Sequence, residues 1–271
     1  MEAAAADPAI AVTVRQAESV PGTAVVTLSD ERTGDSRRVL VGFGIKGVND
    51  AFDGAAPGAQ WEWVREDPAL WSMQQPRGAL TLTGGKGDIA QEGGTAPNLL
   101  LQSANGDWTV DTKLVCAAAP AMPAQNAGLV AYASDDNFVK FVYAATFNFR
   151  RQPADGPAAG QLQLLVEENG TQKSLVSVPL DGIIGKEPVL YLRLAKQGDR
   201  YTASYSTDGR KYEKAGTADA QLEDVRVGVM ACEGLMPAMR GFGGRGGMQL
   251  PQAEPLRASF EYFKIVNAGR K

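Results

Sequence analysis

Apolar and polar residues alternate with a period of two along most of this chain, and turn-forming residues interrupt the alternation at short intervals. The runs "GTAVVTLS", "RRVLVGF", "GALTLTG", "NLLLQS", "WTVDTKLVC", "GLVAYAS", "FVKFVYA", "QLQLLVEE", "KSLVSVPL", "VLYLRLAK", "RYTASYS", "VRVGVMAC" and "ASFEYFKIV" each read as a strand. Between them lie "SANGD" before Trp108, "SDDN" before Phe138, "EENGT" at 167–171 and "STDGR" at 206–210, all rich in residues that accept turn geometry. Helical periodicity hardly appears. Thirteen strands with almost no helix predict an all-β protein, with two antiparallel sheets from about residue 50 to 266.

Two stretches break the pattern. "GIKGVNDAFDGAAPG", residues 44–58, is rich in Gly, Ala and Asp and marks a boundary. The segment before it, residues 1–48, holds only two or three strands, too few to close a core. It is therefore expected to borrow an edge from the main domain at 49–267 or from another chain. The second break, "EGLMPAMRGFGGRGGMQLPQAEP" at 233–255, contains too much Gly and Pro for regular structure. Its "GFGGRGG" lacks the lysine and the strand-to-helix context of a phosphate loop and reads as a flexible loop.

Composition narrows the chemistry. Hydrophobic residues make up 44% of the 271 positions and charged residues 21%, ordinary values for a chain with a real core. A net charge of −4 speaks against a nucleic-acid surface. The chain has no histidine, so a Ser-His-Asp triad, a Cys-His pair and a histidine metal site are excluded. Cys116 and Cys232 sit in apolar strand-like runs and read either as two buried thiols or as one bridge between strands. No stretch approaches the length of a membrane span, and "MEAAAADPAIA" lacks the basic and apolar regions of a signal peptide. The expectation is a soluble chain that reaches the cell surface or exterior through a larger parent protein.

From residue 52 onward, "WEWVREDPALWSM", "PRGALTL", "NLLLQ", "NAGLVAYASDDNFVKF", "LYLRLAKQGDRYTASYSTDGRKY" and "ASFEYFKI" follow one another in the order of a known module. The set resembles the concanavalin-A-like C-terminal module of family 43 glycoside hydrolases, the β-xylosidases and arabinofuranosidases. That resemblance implies a jelly-roll sandwich of two antiparallel sheets beside a five-bladed propeller carrying the catalytic carboxylates. The chain departs from the family in the loop at 233–255 and in the strands before residue 48. Within 10–43, "VPGTAVVTLSDERTGDSRRVLVGF" resembles the closing hairpin of a bacterial immunoglobulin-like module.

Three of the four tryptophans fall in "WEWVREDPALWS", residues 61–72, among acids and an arginine. Trp61 and Trp63 share strand parity and are expected in the core; Trp71, beyond Pro68 and off the strand, is expected to be partly exposed. Parity also sets Tyr191 and Arg193 opposite the Leu190, Leu192 and Leu194 row, and Phe138 and Lys140 opposite Val139, Phe141 and Tyr143. Gln102, Tyr132, Lys140, Tyr191 and Arg193 on one sheet, with Trp71 in reserve, would give rings and hydrogen-bonding groups for a sugar. Such a face equally fits the solvated side of an antiparallel sheet. A structural calcium ion is expected between Asp50 and Asp53 at the sandwich entry and Glu261 on the closing strand. For catalysis, Glu62/Glu66, Asp135/Asp136 and Glu167/Glu168 are the spaced carboxylate pairs, and none has the geometry that glycoside hydrolysis requires. The expected function is a non-catalytic module that binds oligo- or polysaccharide such as xylan or arabinan, working with the catalytic glycosidase domain of its parent. A structural domain buttressing that partner is the alternative, and a paired-carboxylate glycosidase a weaker one; neither membrane nor nucleic acid is an expected partner.

Overall fold

The computed structural model describes residues 1–18, 22–43, 47–89, 94–122, 125–146, 160–185, 187–234 and 254–267. Most of the loop expected at 233–255, including "GFGGRGG", lies outside the described residues. Three sheets account for the strands. The N-terminal sheet is a meander of β1 (Ile10–Arg15), β2 (Gly22–Asp30) and β3 (Ser36–Phe43).

Sheet I is built from β4 (Glu62–Val64), β7 (Leu99–Ser103), β9 (Asn126–Ser134), β10 (Asn137–Ala144), β11 (Gln161–Glu168), β12 (Thr171–Pro179) and β16 (Arg226–Cys232), in the order β12-β11-β10-β9-β16-β7-β4. Sheet II is built from β5 (Trp71–Gln74), β6 (Arg77–Thr83), β8 (Trp108–Cys116), β13 (Val189–Gln197), β14 (Arg200–Ser206), β15 (Glu213–Asp219) and β17 (Arg257–Asn267), in the order β15-β14-β13-β8-β17-β6-β5. All strand pairings within the sheets are antiparallel. One short 3-10 turn at Pro68–Leu70 is the only helical element among the described residues. No helix there is long and apolar enough to cross a membrane.

The sandwich core lies between the two large sheets. Leu100, Leu129, Val139, Phe141, Leu164 and Val229 of sheet I meet Leu82, Val110, Leu114, Leu192, Leu194 and Phe260 of sheet II. Trp61 closes one end, its ring 5.1 Å from Phe263 and 5.8 Å from Phe52. Trp63 and Trp71 stack at 5.1 Å and bridge the edge strands β4 and β5, both half-buried. Trp71 is thus partly exposed as expected, but it begins a strand rather than lying off one.

All thirteen sequence-predicted strands are present, and β1, β4, β5 and β15 are additional. β15 reads "EKAGTAD", with little β-propensity, and it forms because its backbone completes the ladder along β14. The N-terminal strands differ from expectation in another way. Among the described residues they pair with one another and with no strand of the sandwich, because β2 supplies a central ladder to both neighbours. One face of this small sheet then docks on the loop before β16. Glu223 receives both Arg15 and Arg38, and the Asp224 N–H donates to Thr23 Oγ1 at 3.0 Å.

Phe263 joins these parts, since its side chain is fully buried against Trp61 while its backbone exchanges two hydrogen bonds with Asp50 at 2.8 and 2.9 Å. Phe263→Ala should cost about 3–5 kcal/mol in urea unfolding. A loss below about 1 kcal/mol would show that the Trp61 end of the core is not packed as described.

Candidate functional site

The outer face of sheet I is closed over its central strands β7, β9, β10 and β16, while Leu175 of the edge strand β12, on the same face, stays 45% exposed. After β6 the chain crosses from sheet II to sheet I, and residues 84–89 and 94–98 lie along the far side of sheet I as a strap. Its backbone bridges to β16 and beyond through Gly85–Cys232 and Gly87–Gly234. Gly87 adopts φ +104°, and a Cβ there would fall 2.0 Å from Thr95 Oγ1, so the turn requires glycine. Ile89 and Ala96 of the strap pack on Leu99, Leu101, Val130, Phe138, Leu165 and Met230, forming a second apolar core.

A buried ion pair sits in this layer. Lys140 Nζ donates to Asp88 Oδ1 at 2.7 Å, and both residues are under 8% exposed. Asp88 also accepts from its neighbour's backbone, Ile89 N at 2.7 Å, and from Asn126 Nδ2 at 3.2 Å. At the head of the strap Arg65 makes a two-point contact with Asp135, at 2.9 and 3.0 Å, and donates to the Ala96 carbonyl at 2.8 Å. Tyr132 donates to the same Asp135 at 3.0 Å.

These contacts separate the residues expected to share one groove. Gln102, Tyr132 and Lys140 belong to sheet I, whereas Tyr191 and Arg193 belong to sheet II. Gln102 is buried and bonds both backbone groups of Val48, at 2.7 and 2.9 Å, fastening the entry segment. Tyr132 and Lys140 do share a face, but that face is filled by the strap. Gln102 faces the sandwich core with Leu100, so the common parity holds for Tyr132 and Lys140 but not for Gln102, and the face those two share does not meet solvent.

The outer face of sheet II is open. Cross-strand pairing sets two rows across it, Tyr191 beside Lys113 and Arg193 beside Asp111, with Lys264 on the far side of Asp111. Arg193 Nε donates to Asp111 at 2.6 Å, and its guanidinium lies 3.9 Å from the centre of the Tyr212 ring. Lys113 donates to Glu261 at 2.6 Å. Tyr262 lies under the Lys264 ammonium at 4.6 Å. Burial and the neighbouring Tyr212 and Asp111 push the Tyr262 phenol up to about 12, so it remains a hydrogen-bond donor at any physiological pH. Three of the seven tyrosines, each half-buried, therefore surround one arginine–carboxylate pair. Such a surface offers ring faces to C–H groups and both donors and acceptors to hydroxyls.

Tyr212 and Tyr262 were not legible as members of this face. Tyr212 follows the "STDGRK" turn, where strand parity is undefined. Tyr262 lies in a bulge between Phe260 and Phe263, both fully buried, and strict alternation from Phe260 would have put it in the core.

The remaining expectations concern acids and thiols. Asp50 is filled by N–H donors: Phe52 N at 2.7 Å, Gln60 Nε2 at 2.9 Å and Trp61 Nε1 at 2.7 Å. Donor hydrogens around a carboxylate are unsuited to a cation, Asp53 is exposed, and Glu261 is held by Lys113. Among the described residues no three acids or thiols gather into a metal-holding group, so Asp50, Asp53 and Glu261 do not fit a calcium ion in this arrangement. The spaced carboxylates are also held apart: Glu62 by Arg226, Glu66 by Trp71 Nε1, Asp135 by Arg65, and Glu168 by Gln221 N, with Glu167 buried. Cys116 and Cys232 are both free and fully buried, one in each sheet.

Comparison with known proteins agrees with this architecture. A family profile described as "Beta xylosidase C-terminal Concanavalin A-like domain" matches residues 49–245. The fold is similar to that of the GH43 BlXynB protein from Bacillus licheniformis, at TM-score 0.61 and 18% identity over 97% of this chain and 55% of that one. It is similar also to a xylan beta-1,4-xylosidase from Bacillus Halodurans C-125, at TM-score 0.58 and 15% identity over 95% of this chain and 54% of that one. A functionally unknown protein from Saccharomyces cerevisiae matches at TM-score 0.55 and 16% identity, over 78% of this chain and 98% of its own. No curated protein sequence matches. The chain thus spans little more than half the length of the two bacterial structures.

Two measurements check the closed face. Lys140→Met should cost about 3–5 kcal/mol by leaving Asp88 buried without its cation, and adding Asp88→Leu should recover most of that loss. A double variant no more stable than the single one would mean that the pair does not close the strap. Burial pushes the Cys116 thiol up to about 12, and burial raises Cys232 as well. Neither should react with a disulfide reagent at pH 8 until the protein is unfolded.

Proposed function

Because the chain belongs to the β-xylosidase C-terminal concanavalin A-like family, we propose that it is a non-catalytic accessory module of a glycoside hydrolase and that it binds polysaccharide on the outer face of sheet II. One observation carries this reading: Tyr191, Arg193, Tyr212 and Tyr262 meet on an open sheet face, together with the Arg193–Asp111 and Lys113–Glu261 pairs. Rings stack on sugar C–H faces, and each neutral hydrogen bond adds about 0.5–1.5 kcal/mol net, which favours affinities of roughly micromolar to millimolar. The family description and the xylosidase neighbour favour a xylan-type chain, with arabinan as the related candidate. A module of this kind would work outside the cell, holding substrate close to a catalytic glycosidase domain.

The carboxylates on this face are each neutralised by a cation at 2.6 Å, which suits ligand hydroxyls better than acid–base chemistry. Affinity electrophoresis and calorimetry against xylan, arabinan and galactan fragments test the reading. Arg193→Ala and Tyr191→Ala should each weaken binding about tenfold, while Tyr132→Phe, beneath the strap on sheet I, should leave it unchanged. Binding that survives both sheet II variants would remove the site from this face. An absence of binding to every glycan would favour the purely buttressing role.

A further inference from the structure

The outer face of sheet II carries more positive charge than its ion pairs use. Backbone pairing sets one row straight across it, Lys264, Asp111, Arg193, Ser204 and Lys214, on the five adjacent strands from β17 to β15. That row holds three cations and one acid. Asp111 is already engaged by Arg193 at 2.6 Å, and on the next row Lys113 is engaged by Glu261 at the same distance. Arg200 and Asp219, toward the β14–β15 edge, pair with each other at 2.9 Å. Lys264 and Lys214 are exposed, and among the described residues neither forms an ion pair with a carboxylate. The row on the other flank, Val266, Thr109, Ala195, Thr202 and Thr217, is uncharged. The chain as a whole has a net charge of −4, so a cationic row here is opposite in sign to the rest of the molecule.

The two surplus lysines differ in setting. Lys214 stands on the edge strand β15, two strands beyond Arg193. Lys264 stands inside the cluster of rings, with its ammonium 4.6 Å from the centre of the Tyr262 ring. Its row neighbour Asp111 holds Arg193, whose guanidinium lies on Tyr212. A neutral glycan on this face would leave the Lys264 charge unmatched. A carboxylate carried by the glycan would pair with it through a charge-assisted hydrogen bond, about twice as strong as a neutral one. We propose that the sheet II face prefers a polysaccharide bearing uronic acid, namely a xylan substituted with glucuronic acid. Lys264 receives the carboxylate while the tyrosine rings hold neighbouring neutral sugars. This preference rests on the sheet II reading above. Because Lys264 is exposed, the gain is modest, roughly three- to fivefold in affinity at low salt.

Calorimetry on the full chain tests this with two ligands that differ in one group. The first is a xylan oligosaccharide bearing a glucuronic acid, and the second is the same oligosaccharide with that carboxyl reduced to a primary alcohol. The acid should bind roughly three- to fivefold more tightly at low salt. The difference should vanish at about 1 M salt, where charges are screened within about 3 Å. Lys264→Gln should bring the ratio of the two affinities to about one, Lys264→Arg should keep it, and Lys214→Gln should leave it as in the natural chain. Equal binding of the two oligosaccharides by the natural chain would overturn the uronate preference and leave sheet II as a surface for neutral sugar. A ratio that survives Lys264→Gln but collapses in Lys214→Gln would overturn the assignment to Lys264. Tighter binding of an oligogalacturonate than of the substituted xylan would overturn xylan as the carrier of the carboxylate. Binding of none of these ligands would remove the sheet II reading itself, and the preference with it.

Discussion

Sheet I has to be buried on both faces, and the rest of the structure follows from that. Its central strands β9, β10 and β16 run apolar almost without a break, so one side meets sheet II and the other needs a cover. The strap at residues 84–89 and 94–98 provides that cover, and the Lys140–Asp88 pair at 2.7 Å fixes where it lies. An ion pair this deeply buried adds little net stability compared with apolar packing of the same volume. It does penalise any arrangement in which only one partner is enclosed. Its effect is therefore to hold one covering geometry over a face that apolar contacts alone would define loosely.

Closing sheet I leaves sheet II to face solvent. There β8 and β13 alternate strictly, buried and half-buried by turns, and their outward positions are available for chemistry. The Arg193–Asp111 and Lys113–Glu261 pairs run across neighbouring strands and lock their side chains in place. Tyr212 and Tyr262 close around them from a turn and a bulge. A ligand meeting this face would find ordered groups rather than flexible ones, which lowers the entropy lost on binding.

Much of this was legible in the sequence, and the part that was not has a physical reason. Period-two runs located thirteen strands, and parity separated Leu190, Leu192 and Leu194 from Tyr191 and Arg193 correctly. Parity reports which residues share a face but not what covers it, and for that reason Tyr132 and Lys140 were expected in the open. The signal that distinguishes the two sheets is present in the chain: "NLLLQ" and "VRVGVMAC" are nearly continuous apolar runs, whereas "WTVDTKLVC" and "VLYLRLAK" alternate. The first pattern belongs to a sheet covered on both sides and the second to a sheet with one wet face. Gln102 shows a different limit, because its task of bonding Val48 depends on a loop more than fifty residues away. Tyr262 shows a third, since one bulge reverses the parity of everything after it.

The proposed arrangement keeps the central strands of sheet I closed and assigns polysaccharide to the outer face of sheet II. It is tested most directly by an NMR titration of the backbone amides with a short xylan fragment such as a xylotetraose. Shift changes should concentrate on β8, β13 and β17 around Lys113, Tyr191 and Tyr262, with the amides of β9 and β10 unmoved. Changes concentrated on β7, β9 and β10 instead would mean that the strap opens and that the sugar enters the face described here as closed.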